Sequence, residues 1–248
     1  EEDTEGQVEA VRKAIASAPD MIILAAADRD ALLPYAKEIR EKGITLIIVD
    51  SGLSENVENC FVGTDNYEAA KRVGDAMGKA MAGKGRVAVI SHSPQATTAQ
   101  QRTAGFMRGI QNYPDMEIMG TYDIGDSTDR SYETTSEILR ENPDITGLFA
   151  TNQISAEGVS RAIKESGRDD IYFYAFDSST VQNEALENGI VDGFAVQMPF
   201  NMGYMAVQAA VEAYDGTLRT TNIDTGFAFA TKENMCEEEI QKLIYPFV

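Results

Sequence analysis

The chain has no tryptophan, one histidine and two cysteines, and its 21 basic residues face 40 acidic ones. Each shortage excludes something. One His and two widely separated Cys argue against a zinc site, which needs three or four nitrogen, sulfur or carboxylate ligands brought together. Cys60 and Cys236 read as isolated, small buried hydrophobes, with a disulfide between them as the alternative. A formal net charge of −19 argues against nucleic acid, because phosphate binding needs clustered Lys and Arg. No apolar run approaches the roughly 18 residues that span a bilayer. An initiator methionine, a basic leader and an apolar signal core are also missing, which reads as a processed or trimmed start.

What is present is an ordinary globular balance, 43% hydrophobic and 25% charged over 248 residues. That length suits one large α/β domain or two small ones. Apolar strand-like runs alternate with amphipathic helical stretches. "MIILAAA" (21–27) is followed by a helix over 30–43 closed by Gly43, then by "ITLIIVD" (44–50), a short strand "CFVGTD" and a helix over 66–81. A second series runs through strand 86–92, helix 97–112, strand 117–123 and helix 130–141. It continues with strand 147–151, helix 155–166, strand 171–176, helix 180–188 and "GFAVQMP" (193–199). A helix over 200–214, a long polar connection, one last strand and an acidic helix, "CEEEIQKLI", complete the chain. Near-continuous apolar strands separated by helices predict parallel sheets covered on both faces, here in two similar α/β lobes.

Several strands end on polar side chains. Asp50 ends one, Asn152 follows another, Asp177 closes "IYFYAF", and Gln197 closes a fourth. Ligands of open parallel sheets bind outside the carboxyl ends of the strands, so these four share one type of location. Each has a plainer reading as a cap or turn former; for Asp177 it is N-capping of helix 180–188. Phe173, Tyr174 and Phe176 read as core.

The sequence resembles the sugar-binding type I periplasmic binding proteins, the ribose- and galactose-binding family. "LIIVDSGL", "VGTDNYEAA", "RTAGFMRGI", "GLFATNQISAEGV", "YAFDSS" and "GFAVQMPFNMGYMAV" carry the resemblance, in order along essentially the whole chain. It implies two Rossmann-like lobes: 1–64 with 198–224, and 65–197 with 225–248. The hinges would lie near Thr64–Asp65, Gln197–Met198 and Asp224–Thr225. It also implies an upstream β-α-β unit of roughly 30–45 residues before Glu1. Without that unit the N-terminal lobe would be incomplete, and strand 21–27 would have an open edge that invites dimerisation or swapping.

The resemblance further implies a site. Asp50 and Asp177 would each accept hydroxyl donors, two apiece in a forked arrangement. Arg102 would donate from its fork and offset their charge, and Asn152 would supply both donor and acceptor. Gln197 would contact ligand or brace the crossover, and the lone His92, in "SHSPQATT", is a further contact to weigh against a structural role. Ser51 stands where ribose-type members often carry arginine, which leaves room for a different ligand and counts against ribose itself. Asp126 falls near where relatives place an aromatic over the sugar, and no aromatic substitutes for it.

The function implied is capture of a small polar ligand, a monosaccharide or polyol, outside the cytoplasm. Delivery would be to an ABC-transporter permease or a membrane receptor, with the protein periplasmic or held at the cell surface as a lipoprotein. No cofactor is called for. The competing reading is the effector domain of a lactose-repressor-class regulator, against which the acidic charge counts. An enzyme is disfavoured, because no Gly-rich phosphate loop, G-x-S-x-G, metal cluster or Ser-His-Asp order is found.

Overall fold

The computed structural model describes residues 3–245. In chain order the elements are α1 (Thr4–Ala16), β1 (Met21–Leu24), α2 (Leu33–Glu41), β2 (Thr45–Val49), β3 (Cys60–Gly63) and α3 (Asn66–Ala80). Next come β4 (Lys84–Ser91), α4 (Thr97–Ile110), β5 (Asp115–Asp123), α5 (Thr128–Glu141), β6 (Ile145–Ala150) and α6 (Gln153–Ser166). The last are β7 (Tyr172–Phe176), α7 (Thr180–Glu187), β8 (Gly193–Gln197), α8 (Pro199–Tyr214), β9 (Asn222–Asp224), β10 (Phe227–Thr231) and α9 (Glu238–Ile244).

Two compact units result, and each takes its residues from several parts of the chain. The first holds 3–65, 95–98 and 198–226; the second holds 66–94, 99–197 and 227–245.

The first unit has a four-stranded sheet in the order β1-β2-β3-β9, all parallel. Alternation along β2 sends Leu46 and Ile48 to one face, into a core with Ala36 and Ile39 of α2 and Val11 and Ile15 of α1. Ile47 goes to the other face, where Ala206, Ala209 and Ala210 of α8 meet it with Cys60 and Val62 of β3. The small alanines let α8 lie close on the sheet. Strand β9 corrects the reading of a long polar connection between α8 and the last strand. It is three residues long and largely exposed, and its pairing with Phe61–Gly63 holds it in the sheet.

The second unit has a six-stranded sheet, β10-β8-β7-β6-β4-β5. The pairs from β8 to β5 are parallel, as nearly continuous apolar strands predict. Strand β10 departs from the all-parallel expectation and runs antiparallel to β8, from Phe227 opposite Gln197 to Thr231 opposite Gly193. Two cores cover the faces. One joins Leu148, Phe173 and Phe194 to α5, α6 and α7; the other joins Phe149, Tyr174 and Phe176 to Val73 and Met77 of α3 and Phe106 of α4. Both cysteines are free, Cys60 buried but Cys236 exposed, which corrects the expectation of two buried thiols and leaves the disulfide alternative without support.

Candidate ligand-binding site

In the second unit the strand order brings four predicted residues to one edge of the sheet. Neighbouring parallel strands β8, β7, β6 and β4 end at Gln197, before Asp177, before Thr151–Asn152 and before His92, in that order across the sheet. The carboxyl ends therefore present a row of hydrogen-bonding groups.

Asp177 is the centre of the row. Its backbone is left-handed, φ +67°, a region that costs most side chains energy and that Asp tolerates better than most. Its N–H donates to the Ala195 carbonyl at 2.8 Å, and the buried Gln182 side chain of α7 donates to the carbonyls of Phe176 and Asp177 at 3.1 and 3.2 Å. These bonds hold the turn. Helix α7 is capped by Ser179, whose side chain accepts from the Gln182 N–H, so Asp177 is not the cap that its plainer reading proposed. Its carboxylate accepts three protein donors instead. Gln197 Nε2 reaches Oδ1 at 2.5 Å, while the Gln153 N–H and Arg102 Nη1 reach Oδ2 at 3.2 and 3.4 Å. A carboxylate offers about four acceptor positions, so one, on Oδ1, remains for a further donor rather than the expected two.

Arg102 is buried, and every contact that makes its burial tolerable is visible. Nε donates to Asn66 Oδ1 at 2.8 Å, and Nη1 donates to the Thr151 carbonyl at 2.9 Å as well as to Asp177. The guanidinium carbon lies 3.9 Å from the centroid of the Phe176 ring, a stacked cation–π contact. Nη2 makes no hydrogen bond among the described residues. The "RTAGF" motif accounts for this placement. Gly105 lets α4 press on α3, since a Cβ there would lie 2.1 Å from the Tyr67 carbonyl oxygen. Phe106 is fully buried and stacks on Phe149 with centroids 4.2 Å apart and planes 9° from parallel. One turn before these anchors, Arg102 is delivered over the strand ends.

Asn152 does take the cap role that its plainer reading proposed. Its Oδ1 accepts from the Ser155 N–H and hydroxyl at 2.9 and 2.8 Å, closing a capping box at α6. Its Nδ2 donates to Asp126 Oδ1 at 3.2 Å. With the oxygen consumed, Asn152 has only a second amide hydrogen to offer, so the expectation of a donor and an acceptor shrinks to a donor. Asp126, also left-handed at φ +56°, donates its N–H to the His92 carbonyl at 2.9 Å and is tied into the same edge.

His92 is buried against Thr151. The Thr151 hydroxyl accepts the His92 N–H at 3.1 Å and lies 2.8 Å from Nδ1. Burial, and secondarily the Arg102 charge, hold the imidazole pKa down to about 4 against a weaker opposing pull from Asp177. The ring is therefore neutral at physiological pH. Its contacts are those of a residue that fixes Thr151, and Thr151 in turn fixes Arg102.

Asp50 and Ser51 lie in the first unit, at the carboxyl end of β2. Asp50 repeats the geometry of Asp177: it follows a strand, has φ +63°, and donates its N–H to a neighbouring strand, at the Val62 carbonyl, at 2.9 Å. Beside it is a cavity of about 280 Å³ lined by Asp3, Gln7, Ala25, Ala26, Ala27, Asp50 and Ser51. Gln7 of α1 shapes its wall by donating to the Ala25 carbonyl at 2.7 Å and accepting from the Ala27 N–H at 2.8 Å.

Among the described residues no cluster of His, Cys, Asp and Glu could hold a metal, and no helix is long and apolar enough to cross a membrane. Three contributors to the site escaped the sequence reading: Asn66, Thr151 and the face of Phe176. Asn66 and Thr151 carried a weak signal as polar residues flanking predicted element ends; the buried Phe176 ring face under Arg102 carried none.

Two α/β units with polar strand ends and a buried arginine held over one row of them define a solute-binding architecture. Residues 1–218 match the family described as Periplasmic binding protein domain, and the chain belongs to that family. It is 28% identical over 223 residues to the D-ribose/D-allose-binding protein of Pseudomonas aeruginosa, covering 87% of this chain and 70% of that one. It is also similar to the crystal structure of a carbohydrate transporter solute binding protein from Agrobacterium radiobacter in complex with D-arabinose. The TM-score is 0.92 and the identity 29%, over 98% of this chain and 84% of that one. A sugar transporter structure from Clostridium phytofermentans aligns with TM-score 0.84 and 34% identity, over 93% and 83% of the two chains.

Proposed function

We propose that the protein is an extracytoplasmic binding protein for a monosaccharide or related polyol and delivers it to an ABC-transporter permease. The observation that carries this reading is the cluster of Asp177, Arg102 and Gln197. It combines an acceptor position on Asp177 Oδ1, the Gln197 Oε1 acceptor, which has no partner among the described residues, and the Arg102 Nη2 donor. Asn152 adds one amide hydrogen. A hydroxyl both donates and accepts, so neighbouring hydroxyls on one small ring or chain satisfy such an alternating set. Asp50 and Ser51 are the corresponding strand-end pair of the first unit.

The relatives' names support the ligand class, since they bind ribose, allose and arabinose. The groups at this edge bind and orient; we assign them no catalytic step. Selectivity would come from desolvation, because a buried carboxylate or amide left without its hydroxyl partner costs about 1–3 kcal/mol.

The test is calorimetric titration against D-ribose, D-allose, D-arabinose, D-fucose, D-tagatose and xylitol, with thermal shift alongside. A ligand at a hundredfold excess over Kd stabilises the fold by about 2.7 kcal/mol. Binding by one or more of these, abolished in Asp177→Ala, is expected. If no sugar or polyol produced heat or a shift while the protein remained folded, the reading would be wrong.

A further inference from the structure

Among the described residues, five that are not glycine have a left-handed backbone. Ala18 and Ala82 follow helices α1 and α3, whereas Asp50, Asp126 and Asp177 follow strands β2, β5 and β7. Each aspartate donates its N–H to a carbonyl in, or just past, a neighbouring strand: Val62, His92 and Ala195, at 2.9, 2.9 and 2.8 Å. Asp126 therefore has the backbone setting of the two aspartates already placed at strand ends. Asn152 Nδ2, 3.2 Å from Oδ1, ties its carboxylate to the row that Asp177 centres. That is the carboxylate's only hydrogen bond among the described residues, and no cation pairs with it there. Arg130, whose Nη1 lies beside Gly125, makes no ion pair with it.

We propose that Asp126 is a further ligand-binding carboxylate, and that it selects a sugar or polyol in which an amino group replaces a hydroxyl. The inference rests on the sugar-binding role proposed above and narrows its ligand class. Strands β7, β6 and β4 are successive neighbours. The strand ends that hold Asp177 and Asp126 are thus two strand spacings, roughly 10 Å, apart. One small ligand with a hydrogen bond of about 2.8 Å at each end bridges that span. The balance of free groups decides its chemistry. Free acceptors are one position on Asp177 Oδ1, one or more on Gln197 Oε1 and about three on Asp126. Free donors are the two hydrogens of Arg102 Nη2 and one of Asn152 Nδ2, about three against five acceptors. Charge is unequal in the same sense, because Arg102 is the one cation bonded to this row and it pairs with Asp177. A hydroxyl donates once and accepts twice, so further hydroxyls do not correct the excess. An ammonium supplies three donors, no acceptor and the missing positive charge. It also removes the cost of leaving a carboxylate unpaired as the ligand displaces water from it.

The test is calorimetric titration of matched pairs: D-glucosamine and D-glucose, D-galactosamine and D-galactose, D-glucamine and D-sorbitol. At about pH 6.5 such amines are protonated, as an α-amino group of pKa about 7.7–8.0 is. At least one amino compound is expected to bind about tenfold or more tighter than its hydroxyl counterpart, the scale of one charge-assisted hydrogen bond. Added salt should shrink that preference. Asp126→Asn suits the left-handed backbone and keeps an oxygen for Asn152, and it should bring each pair to within about threefold. Asp129→Asn, which removes an exposed carboxylate three residues on, is the control that keeps the preference. Neutral sugars binding as well as their amino counterparts, or a preference that survives Asp126→Asn, overturns this inference and leaves the proposed function standing. No binding by any sugar or polyol, amino or neutral, overturns both.

Discussion

Gln197 Nε2 donates to Asp177 Oδ1 at 2.5 Å, while the other end of the same amide, Oε1, is buried without a hydrogen-bond partner among the described residues. One side chain thus orients the carboxylate and keeps an acceptor in reserve. Gln197→Leu removes both. Sugar affinity is expected to fall by about 1–3 kcal/mol, roughly 5- to 150-fold. Folding stability should change little, because Asp177 keeps two other donors. Calorimetric titration beside urea denaturation separates the effects; a variant that binds sugar as the parent does would remove Gln197 from the site.

Arg102 is both a site residue and a structural pin. Arg102→Met keeps the aliphatic stem but deprives Asn66, Thr151 and Asp177 of a donor at once. Breaking a buried pair by deleting one partner costs about 3–5 kcal/mol, and the lower end applies because Asp177 retains some contact with water. Arg102→Lys is expected to recover little of this, since one ammonium cannot span three acceptors and stack on Phe176. Denaturant midpoints for the two variants would expose the alternative, a solvated arginine whose replacement by Lys is silent.

The elements easiest to foresee were those whose burial is written into composition. Strands such as Ile145–Ala150 and Tyr172–Phe176 are apolar on both faces, and the helices between them carry one apolar stripe each, so order and type follow from periodicity. Strand β9 was illegible because nothing in Asn222–Asp224 asks for a sheet; β3 recruits it. The antiparallel direction of β10 depends on the path by which the chain returns to β8, which local sequence does not encode. At the site, Asp177 and Gln197 could be found from their place at strand ends. The role of Asn66 could not, because it exists only through an arginine 36 residues away in sequence. Asn152 is the reverse case, a residue whose capping chemistry was recognisable in the sequence and is found at the start of α6.

Gly105 makes the helix contact that carries Arg102. With an added Cβ 2.1 Å from the Tyr67 carbonyl oxygen, Gly105→Ala must push α4 off α3. Overpacking of this kind costs about 1–3 kcal/mol or more. Because Arg102 moves with its helix, sugar affinity should fall as well, although Gly105 has no side chain to touch a ligand. Calorimetric melting and sugar titration on the same sample test the coupling; a loss of stability with unchanged affinity would mean that Arg102 is positioned by its own contacts rather than by the helix.

His92 gives the fold a specific acid sensitivity. Its folded pKa, about 4, lies below the value of about 6.5 in the unfolded chain, so below pH 6.5 the unfolded state binds the extra proton. The neutral ring's contribution is complete above pH 6.5 and is lost as the pH falls toward 4. At pH 4.5 the loss amounts to about 2–3 kcal/mol. Several carboxylates whose pKa values are lowered by cationic partners, among them Asp75 beside Lys79, Asp144 beside Arg86 and Asp170 beside Arg168, lose stability over an overlapping acid range. The comparison must therefore be with a variant. His92→Asn cannot acquire that charge, and its unfolding free energy should drop less between pH 7 and pH 4.5 than the parent's, by about 2–3 kcal/mol. Equal drops in the two proteins would mean that His92 titrates normally and that its burial against Thr151 does not keep it neutral.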